Sequence, residues 1–277
     1  MLKWALLLVL CGRLFAQDLV DVYRQDGIYA VEEAIQEELQ NPDYWRSFLE
    51  ERDTRYGLIE SFRYLLLADK SKPDLRVMEV TPDGLNELAY SDAVIIAGGE
   101  GDKQREGDLK TPVGVYELNA RLTGLDPYYG PMAFSTDYPN LLDRLQGKNG
   151  SGIWIHGVPE NGEREANTRG CIAVENGYIR DLDGQIRHDQ SILIVGEKGV
   201  PEVSKTDLVQ ILSNLYRWRE AWKESDLEGY LEFYHPEFLR FDGKNLEQFS
   251  QMKRVIFNRK EKKKIVFKEF DILPHPD

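Results

Sequence analysis

The sequence predicts a multi-domain chain with a short N-terminal helical segment, a mainly β domain and an α+β C-terminal domain. Three observations lead to this fold class. Residues 17–59 place apolar side chains at helical spacing, and residues 60–198 contain short apolar runs separated by turn residues. Long helical periodicity returns in residues 199–277, where the charge balance also changes. The 277 residues suffice for more than one hydrophobic core.

The first sixteen residues predict an export signal. Lys3 supplies a positive start, an almost wholly apolar run follows it, and Ala16 offers a small residue before the predicted cleavage site. The apolar run is shorter than the roughly 20 residues that a membrane-spanning helix needs. Residues 1–16 are therefore interpreted as a signal peptide, the mature protein is predicted to be periplasmic, and no transmembrane segment is expected. The alternative, a lipid anchor at Cys11, is disfavoured because the bulky Leu10 precedes it.

Two short amphipathic helices are predicted in the N-terminal segment, over Ala30–Leu39 and Asp43–Arg52. Asn41-Pro42 directly precedes the second one. This pair is typical of a helix start, because Asn caps free N–H groups and Pro fits the first turn.

The β domain is predicted from short apolar runs that are bounded by Gly, Pro and Asp. Their regular spacing indicates a mainly β domain over residues 60–198. The predicted strands are Tyr64–Ala68, Leu75–Val80, Ala93–Ala97, Gly114–Leu118, Gly152–His156 and Ser191–Val195.

The C-terminal domain begins at a change in charge. Residues 199–277 contain 14 Lys and Arg and 14 Asp and Glu, so the whole formal charge of −13 belongs to the residues before them. An acidic region of this kind argues against nucleic acid as a partner. Helices are predicted over Lys205–Glu224 and from Asp226 to Tyr234, and a strand is predicted over Lys264–Leu273.

Cys171 carries the clearest chemical signal. It is the only cysteine left once the predicted signal peptide is removed, and it follows His156 by fifteen positions. A thiol becomes a good nucleophile when a nearby base takes its proton. The intervening segment is polar and lacks apolar periodicity, so it is interpreted as a loop that returns Cys171 to the end of the strand carrying His156. If this loop brings the two side chains together, His156 can act as the base for the Cys171 thiol; the order of residues along the chain does not by itself establish that proximity.

The residues around Cys171 offer donors for an oxyanion. Main-chain N–H groups near a glycine can approach a substrate closely, which points to Gly170 and Cys171, with the Arg169 amide as a third candidate. Thr168 is predicted to hydrogen-bond either to its own loop or to the substrate.

Two other features are interpreted without a function. The run Arg259–Lys264 is typical of a solvated basic face. The remaining histidines lack the spacing of metal ligands, so neither a metal nor another cofactor is predicted. These histidines are His188, His235 and His275.

The residues around Cys171 resemble the active-site signature of a known family. His156-Gly157, followed by Thr168–Ile172, is similar to the signature of the YkuD-type L,D-transpeptidases, and Gly107–Tyr116 is similar to that family's GDxKTPxGxY segment. The resemblance implies that Cys171 is the nucleophile, that His156 is the general base and acid, and that the Gly157 carbonyl orients the imidazole. The Gly107–Tyr116 segment is interpreted as turn chemistry rather than as a substrate contact.

The wider layout resembles a narrower group of this family, the cell-shape L,D-carboxypeptidases of helical bacteria. The likeness rests on the signal peptide, the helical segment, the Tyr128–Pro131 and Asp137–Asn140 segments, and a C-terminal part that resembles the start of an NTF2-like domain and is expected to be incomplete. It implies peptidoglycan stem peptides as the substrate, with terminal D-alanine removed from tetrapeptides. It also implies a homodimer formed through the N-terminal segment, and a protein or cell-wall ligand for the C-terminal domain. Arg169 and Ala173 depart from the residues that many family members have there.

Three alternatives remain open. An amine acceptor in place of water would make the chain an L,D-transpeptidase that forms cross-links or exchanges D-amino acids. A non-catalytic envelope scaffold would not need Cys171. A papain-like protease would need its nucleophile before the histidine and a helix after the cysteine, whereas Ile172–Val174 has the pattern of a strand.

Overall fold

The computed structural model describes residues 18–82, 84–96, 99–160 and 168–276. The chain divides into two compact units: unit 1 comprises Met1–Glu50 and Val209–Val266, and unit 2 comprises Glu51–Leu208 and Phe267–Asp277. The predicted signal peptide lies outside the described residues. Along the part of the chain that is described, no helix combines the length and the hydropathy needed to cross a bilayer.

Unit 1 begins with helices. Helix α1 covers residues 18–26, α2 spans Ile28–Leu39 and α3 spans Pro42–Leu49. Asn41 caps α3 by accepting the N–H of Asp43 at 3.0 Å. The two predicted helices are confirmed as α2 and α3, although α3 ends three residues before the predicted end.

Three helices lie in the C-terminal part of the chain: α6 (Lys205–Glu224), α7 (Leu227–Leu231) and α8 (Leu246–Phe257). Helix α6 has the predicted bounds, α7 is shorter than predicted, and α8 is absent from the sequence prediction. A capping box between Asn245 and Gln248 starts α8. Aromatic side chains of α7 and α8 form the core here, with Tyr230, Phe249 and Phe257 buried at its centre.

The strand predicted over Lys264–Leu273 is wrong over most of its length. Residues 260–270 have no regular secondary structure, and only Asp271–Ile272 forms a strand, β11, which pairs with β1 (Leu58–Ile59) in unit 2. Alternating apolar residues satisfy the sequence pattern of a strand. A strand also needs a neighbour for its N–H and C=O groups, and within the described residues the paired strand register covers only Asp271–Ile272.

Unit 2 is built on a nine-stranded sheet. Its strands are β2 (Tyr64–Asp69), β3 (Asp74–Thr81), β4 (Gly84–Ser91), β5 (Ile95–Ile96), β6 (Gly114–Thr123), β7 (Met132–Thr136), β8 (Trp154–His156), β9 (Ile172–Ala173) and β10 (Ser191–Gly196). The order is β4-β3-β2-β10-β6-β7-β8-β9-β5, with antiparallel neighbours except for the parallel pairs β2–β10 and β8–β9. All six predicted strands are confirmed with altered ends, although Ala97, the predicted end of the third, lies outside the described residues. Strand β9 agrees with the strand pattern of Ile172–Val174, and β4 and β7 are additions.

Both faces of this sheet carry apolar side chains. Along β2, Leu66 belongs to the larger core while Leu65 belongs to a second cluster, as the two-residue alternation of a strand requires. Helix α5 (Asn176–Gln185) follows β9 directly and buries Ile179 and Leu182 in the larger core. The short helix α4 (Leu141–Leu145) lies between β7 and β8 in the chain. The packing of α5 fixes the main chain that leaves the β8–β9 pair.

Candidate active site

Strands β8 and β9 bring His156 and Cys171 to the same part of the sheet. They run parallel, with Ile155 opposite Ile172 and His156 opposite Ala173. Cys171 directly precedes β9 and lies two residues from Ala173, so strand alternation places its side chain on the same face as that of His156. The N–H of Val174 donates to the His156 carbonyl at 2.9 Å, which continues the pairing. The predicted return of the loop to the end of the histidine strand is confirmed.

His156 is buried, and its contact with Gly157 assigns its tautomer. Its Nδ1 lies 2.5 Å from the main-chain oxygen of Gly157. Because a carbonyl oxygen only accepts, this contact assigns the proton of the neutral ring to Nδ1 and leaves the lone pair on Nε2. His156 is only 3% exposed, so the ring has little freedom to turn away from this bond. The geometry is that of a base oriented by a carbonyl.

Cys171 is the one free cysteine in the described part of the chain, and it remains partly exposed. Its Sγ donates to the carbonyl oxygen of Gly152 at 3.3 Å. Burial raises the pKa of the Cys171 thiol, while the N–H of Trp154 and the positive charge of Lys103 act to lower it. Burial is the strongest of these influences, so the resting group is a neutral thiol that needs a base.

Thr168 closes the turn before Cys171. Its hydroxyl donates to the Cys171 carbonyl at 2.6 Å and accepts the N–H of Gly170 at 3.3 Å. In this state the Thr168 side chain therefore bonds to its own loop. The Gly170 N–H would have to exchange this long bond for a substrate oxygen in order to serve an oxyanion, so its role there stays a prediction.

Gly170 is required by the shape of this turn. Its φ is +134°, and a Cβ at this position would lie 2.9 Å from the Lys110 carbonyl oxygen and 3.0 Å from Ile153 Cδ1. The Lys110 carbonyl belongs to the Gly107–Tyr116 segment, which therefore packs behind the turn that carries Cys171. Arg169, by contrast, is exposed, and its side chain makes no ion pair or hydrogen bond within the described residues.

Asp108 explains why the Gly107–Tyr116 segment adopts its shape. Its carboxylate accepts the main-chain N–H groups of Gln104, Arg105 and Lys110, and it forms an ion pair with Lys103 at 2.7 Å. These bonds hold the pKa of Asp108 well below its usual range despite burial. The segment's polar groups thus serve turn formation, as predicted.

Two tyrosines that the sequence analysis treats only as part of the layout lie against His156. The Pro127–Tyr129 turn places the Tyr129 ring edge-on to the imidazole, with centroids 5.1 Å apart, and 4.9 Å from the ring of Trp154. The Tyr128 ring lies 6.4 Å from the imidazole. Burial, followed by the nearby Cys171, raises the pKa of Tyr129, while Arg169 acts to lower it. The only sequence feature that could have pointed to these contacts with His156 is the pair of adjacent tyrosines after Pro127.

No group of three or more His, Cys, Asp or Glu side chains suited to a metal ion occurs among the described residues. His188 lies in a one-turn 3-10 helix, and His235 is exposed beyond α7. Neither histidine is brought to Cys171 by the elements described above.

Of the residues predicted for the site, the structure brings together His156, Gly157 and the Thr168–Cys171 turn.

Comparison with protein families gives two matches. The model of the L,D-transpeptidase catalytic domain (YkuD) matches residues 63–197. The model of the Cds6 C-terminal NTF2-like domain matches residues 210–277. Both families agree with the resemblances inferred from the sequence.

Solved structures and curated relatives agree with this assignment. The helical cell shape determining protein Pgp2 from Campylobacter jejuni is 39% identical, with a TM-score of 0.81 over 86% of this chain and 84% of that one. Bd1075 from Bdellovibrio bacteriovorus is 29% identical, with a TM-score of 0.59 over 74% of this chain and 76% of the other.

The "Putative L,D-transpeptidase YafK" of Escherichia coli is 34% identical over 86 residues. The match covers 31% of this chain and spans about a third, 32%, of the length of that relative. The match to Pgp2 extends over most of both chains at well above 30% identity. The chain therefore belongs to the YkuD-type L,D-transpeptidase family, with an NTF2-like domain at its carboxyl end.

Proposed function

We propose that this chain is a cysteine acyl-transfer enzyme that removes the terminal D-alanine from peptidoglycan stem tetrapeptides, an L,D-carboxypeptidase. The observation that carries the proposal is the arrangement of Cys171 beside a buried His156. The Nδ1 of His156 is engaged by Gly157, so Nε2 is the ring nitrogen that carries the lone pair needed for a base. The predicted domain 60–198 contains all of these residues.

In the first step, His156 Nε2 takes the proton of the Cys171 thiol. The sulfur then attacks the carbonyl carbon of the centre diamino acid at its L,D bond to D-alanine. The bond between this carbon and the D-alanine nitrogen breaks, and the imidazolium returns its proton to the departing amine. A thioester on Cys171 remains. Because burial raises the pKa of the Cys171 thiol and so disfavours the thiolate, this mechanism needs His156 to accept the proton.

In the second step, water attacks the thioester while His156 acts as base, and the thiol is regenerated with a tripeptide product. Arg169 favours a substrate that ends in a free carboxylate, because its guanidinium is exposed two positions before the nucleophile and makes no ion pair with the described residues. The carboxylate of a terminal D-alanine fits this cation.

The similarity to Pgp2, which determines helical cell shape, supports a cell-wall substrate and a periplasmic location. The strand β9 that follows Cys171 speaks against a papain-like protease, which needs a helix there. The second candidate is an L,D-transpeptidase, in which an amine takes the acyl group. It is favoured by the family of the catalytic domain and by the name of the Escherichia coli relative.

The test is incubation of the mature protein with disaccharide tetrapeptide, with and without an added D-amino acid, followed by chromatographic separation of the products. We expect tripeptide and free D-alanine from the wild type. Cys171→Ala should lower the rate by at least about 10³-fold, because the nucleophile is lost. Cross-linked dimers or exchanged stems as the main products would replace the carboxypeptidase with the transpeptidase.

His188→Ala is the matched control, because it removes a histidine that is not brought to Cys171 and should leave the rate unchanged. If Cys171→Ala and the wild type form products equally fast, the acyl-transfer mechanism is wrong. A wild type that forms no product, with a folded circular dichroism spectrum, would favour the non-catalytic scaffold.

A further inference from the structure

Asn176, the first residue of α5, lies five positions after Cys171 and contacts the segment that follows His156. Its Oδ1 accepts the N–H of Val158 at 2.8 Å, and its Nδ2 donates to the Val158 carbonyl at 2.9 Å. The two bonds together assign the amide orientation, since an N–H needs an acceptor and a carbonyl needs a donor. The side chain thus holds Val158 as a neighbouring strand would.

The bond to the Val158 N–H has a consequence for the preceding carbonyl. The Val158 N–H and the Gly157 C=O belong to one peptide group, which is planar, so fixing the direction of one fixes the direction of the other. The Gly157 oxygen is the atom that lies 2.5 Å from His156 Nδ1. A hydrogen bond donated by a peptide N–H also makes the carbonyl of the same group a better acceptor. Asn176 therefore acts on the imidazole through a single rigid group.

Two glycines leave room for this side chain. A Cβ at Gly157 would lie 2.3 Å from Asn176 Oδ1, and a Cβ at Gly130 would lie 2.6 Å from the same atom. Gly130 directly follows the turn that carries Tyr129, the ring packed edge-on to His156. Two separate parts of the chain, the turn at Gly130 and the segment at Gly157, thus converge on the Asn176 amide. A tight fit of this kind restricts the amide to one position.

We propose that Asn176 is a positioning residue for His156. It locks the Gly157–Val158 peptide so that the Gly157 carbonyl holds the proton on Nδ1 and directs Nε2 toward Cys171. The inference rests on the proposed role of His156 as the base. One segment, Cys171–Asn176, then supplies both the nucleophile and the group that orients its base.

The first test is the tautomer of His156, measured by ¹⁵N NMR of the imidazole, with the His156 signal assigned from its absence in His156→Gln. In the wild type we expect a protonated Nδ1 and an unprotonated Nε2 at neutral to alkaline pH. In Asn176→Ala we expect a mixture of tautomers, because the peptide that anchors Nδ1 is free to tilt. This readout does not require activity.

The second test is kinetic. Asn176→Ala should lower kcat on the tetrapeptide by about 10- to 100-fold with little change in KM, because the base is misaligned while the substrate contacts remain. Asn176→Asp keeps the acceptor for the Val158 N–H but loses the donor to the Val158 carbonyl. It should fall between the wild type and Asn176→Ala and provides a second variant if the alanine substitution prevents folding.

Asn140→Ala is the matched control. Asn140 also accepts one main-chain N–H, that of Asp143, and donates to one carbonyl, that of Val115, both at 3.0 Å and both in unit 2. It should cost similar stability and leave the His156 tautomer and kcat unchanged. The proposal is overturned if Asn176→Ala keeps the Nδ1-protonated tautomer, or if it keeps the wild-type kcat while Cys171→Ala abolishes product. A wild type without activity would defeat the proposed function alone, since the tautomer would still decide this inference.

Discussion

The pKa of the Cys171 thiol is raised by one feature of its surroundings and lowered by two others, and substitutions can separate these effects. Burial raises its pKa, and the Trp154 N–H and the Lys103 ammonium oppose that effect. The Lys103 side chain is 4% exposed and is held by Asp108, so its charge acts through protein rather than through bulk water. Removing this charge should make the thiol harder to ionise.

We predict that Lys103→Met raises the pKa of Cys171. The expected result is an upward shift in the pH midpoint of Cys171 alkylation by iodoacetamide. Lys70→Met is the matched control, because the Lys70 side chain is 3% exposed and is likewise paired with a carboxylate, that of Glu197. It does not act on Cys171. Equal shifts in the two variants would contradict the electrostatic role of Lys103.

At the scale of single residues, the sequence predicted Cys171, His156 and Gly157 because their signal is a fixed spacing along the chain. Tyr129 and Asn176 could not be found in the same way. Their contacts to the histidine segment arise from a turn and a helix that lie far from it in sequence, and residue type alone does not reveal such contacts. Helix packing and strand register had to be known first.

Asp137 is a partly buried carboxylic acid, next to β6 and β7, whose pKa is raised. Asp137, just after β7, accepts the N–H of Glu117 at 3.0 Å and donates its own N–H to the Glu117 carbonyl at 3.1 Å. Burial raises the pKa of Asp137 from 3.8 to about 6; the Glu117 N–H opposes this effect and the charges of Glu117 and Asp143 add to it. A group with a raised folded-state pKa stabilises the fold below its unfolded pKa, and this stability is lost as the pH rises through the folded value.

We predict that Asp137→Asn stabilises unit 2 above pH 6, by about 1 kcal/mol once partial solvent exposure is allowed for, and has no such benefit below about pH 4. The measurement is urea unfolding of both proteins from pH 4 to 8. Asp69→Asn should show the opposite sign: Asp69 is partly buried, yet hydrogen bonds from Gly199 and Ser71 hold its pKa below the usual value. A difference for Asp137→Asn that is constant across this range would contradict the prediction.

Helix α5 and the strand β4 show why some elements escape a sequence pattern. Helix α5 contains Gly177 and Gly184, and Asn176-Gly177 has the composition of a turn. Burial of Ile179 and Leu182 outweighs this weak propensity. Strand β4 is mostly exposed and lies at the edge of the sheet, so its apolar alternation is too faint to detect.

Unit 2 as a whole depends on ionised carboxylates. Lys70–Glu197, Lys103–Asp108 and the pairs of Lys148 with Asp102 and Asp143 all contain a lysine side chain that is no more than 4% exposed. The pKa values of Asp108 and Glu197 are lowered by these partners and by main-chain N–H groups, against the effect of burial. Such stability is present above the unfolded pKa and is lost as the pH falls through the folded value.

We predict that unit 2 loses several kcal/mol of unfolding free energy as the pH is lowered from about 4 to 2. Trp154 is the one tryptophan of unit 2, so the part of the fluorescence change that disappears in Trp154→Phe reports on this unit. In Asp108→Asn, the free energy of unfolding should fall less steeply as the pH is lowered over this range. If the free energy of unfolding falls with pH as steeply in that variant as in the wild type, the assigned role of Asp108 is wrong.

At the scale of the whole molecule, the sequence predicted a mainly β domain between helical parts because periodicity changes where the fold changes. The domain boundaries 60–198 and 199–277 remain predictions. The sequence carried no sign that Phe267–Asp277 belongs to the same compact unit as Glu51–Leu208, because that return depends on a two-residue pairing of β11 with β1. Pairing over such a distance in the chain leaves no local pattern.

The bond from the Cys171 thiol to the Gly152 carbonyl also bears on how long the protein survives. Peroxides oxidise thiolates to sulfenic acid and then irreversibly to sulfinic and sulfonic acids, whereas neutral thiols react slowly. Cys171 is protonated at rest and becomes a thiolate when its proton passes to His156. It is therefore open to this oxidation for only a small part of the time. The raised pKa of Cys171 therefore lowers the reactivity of the resting thiol and, for the same reason, slows its oxidation between turnovers.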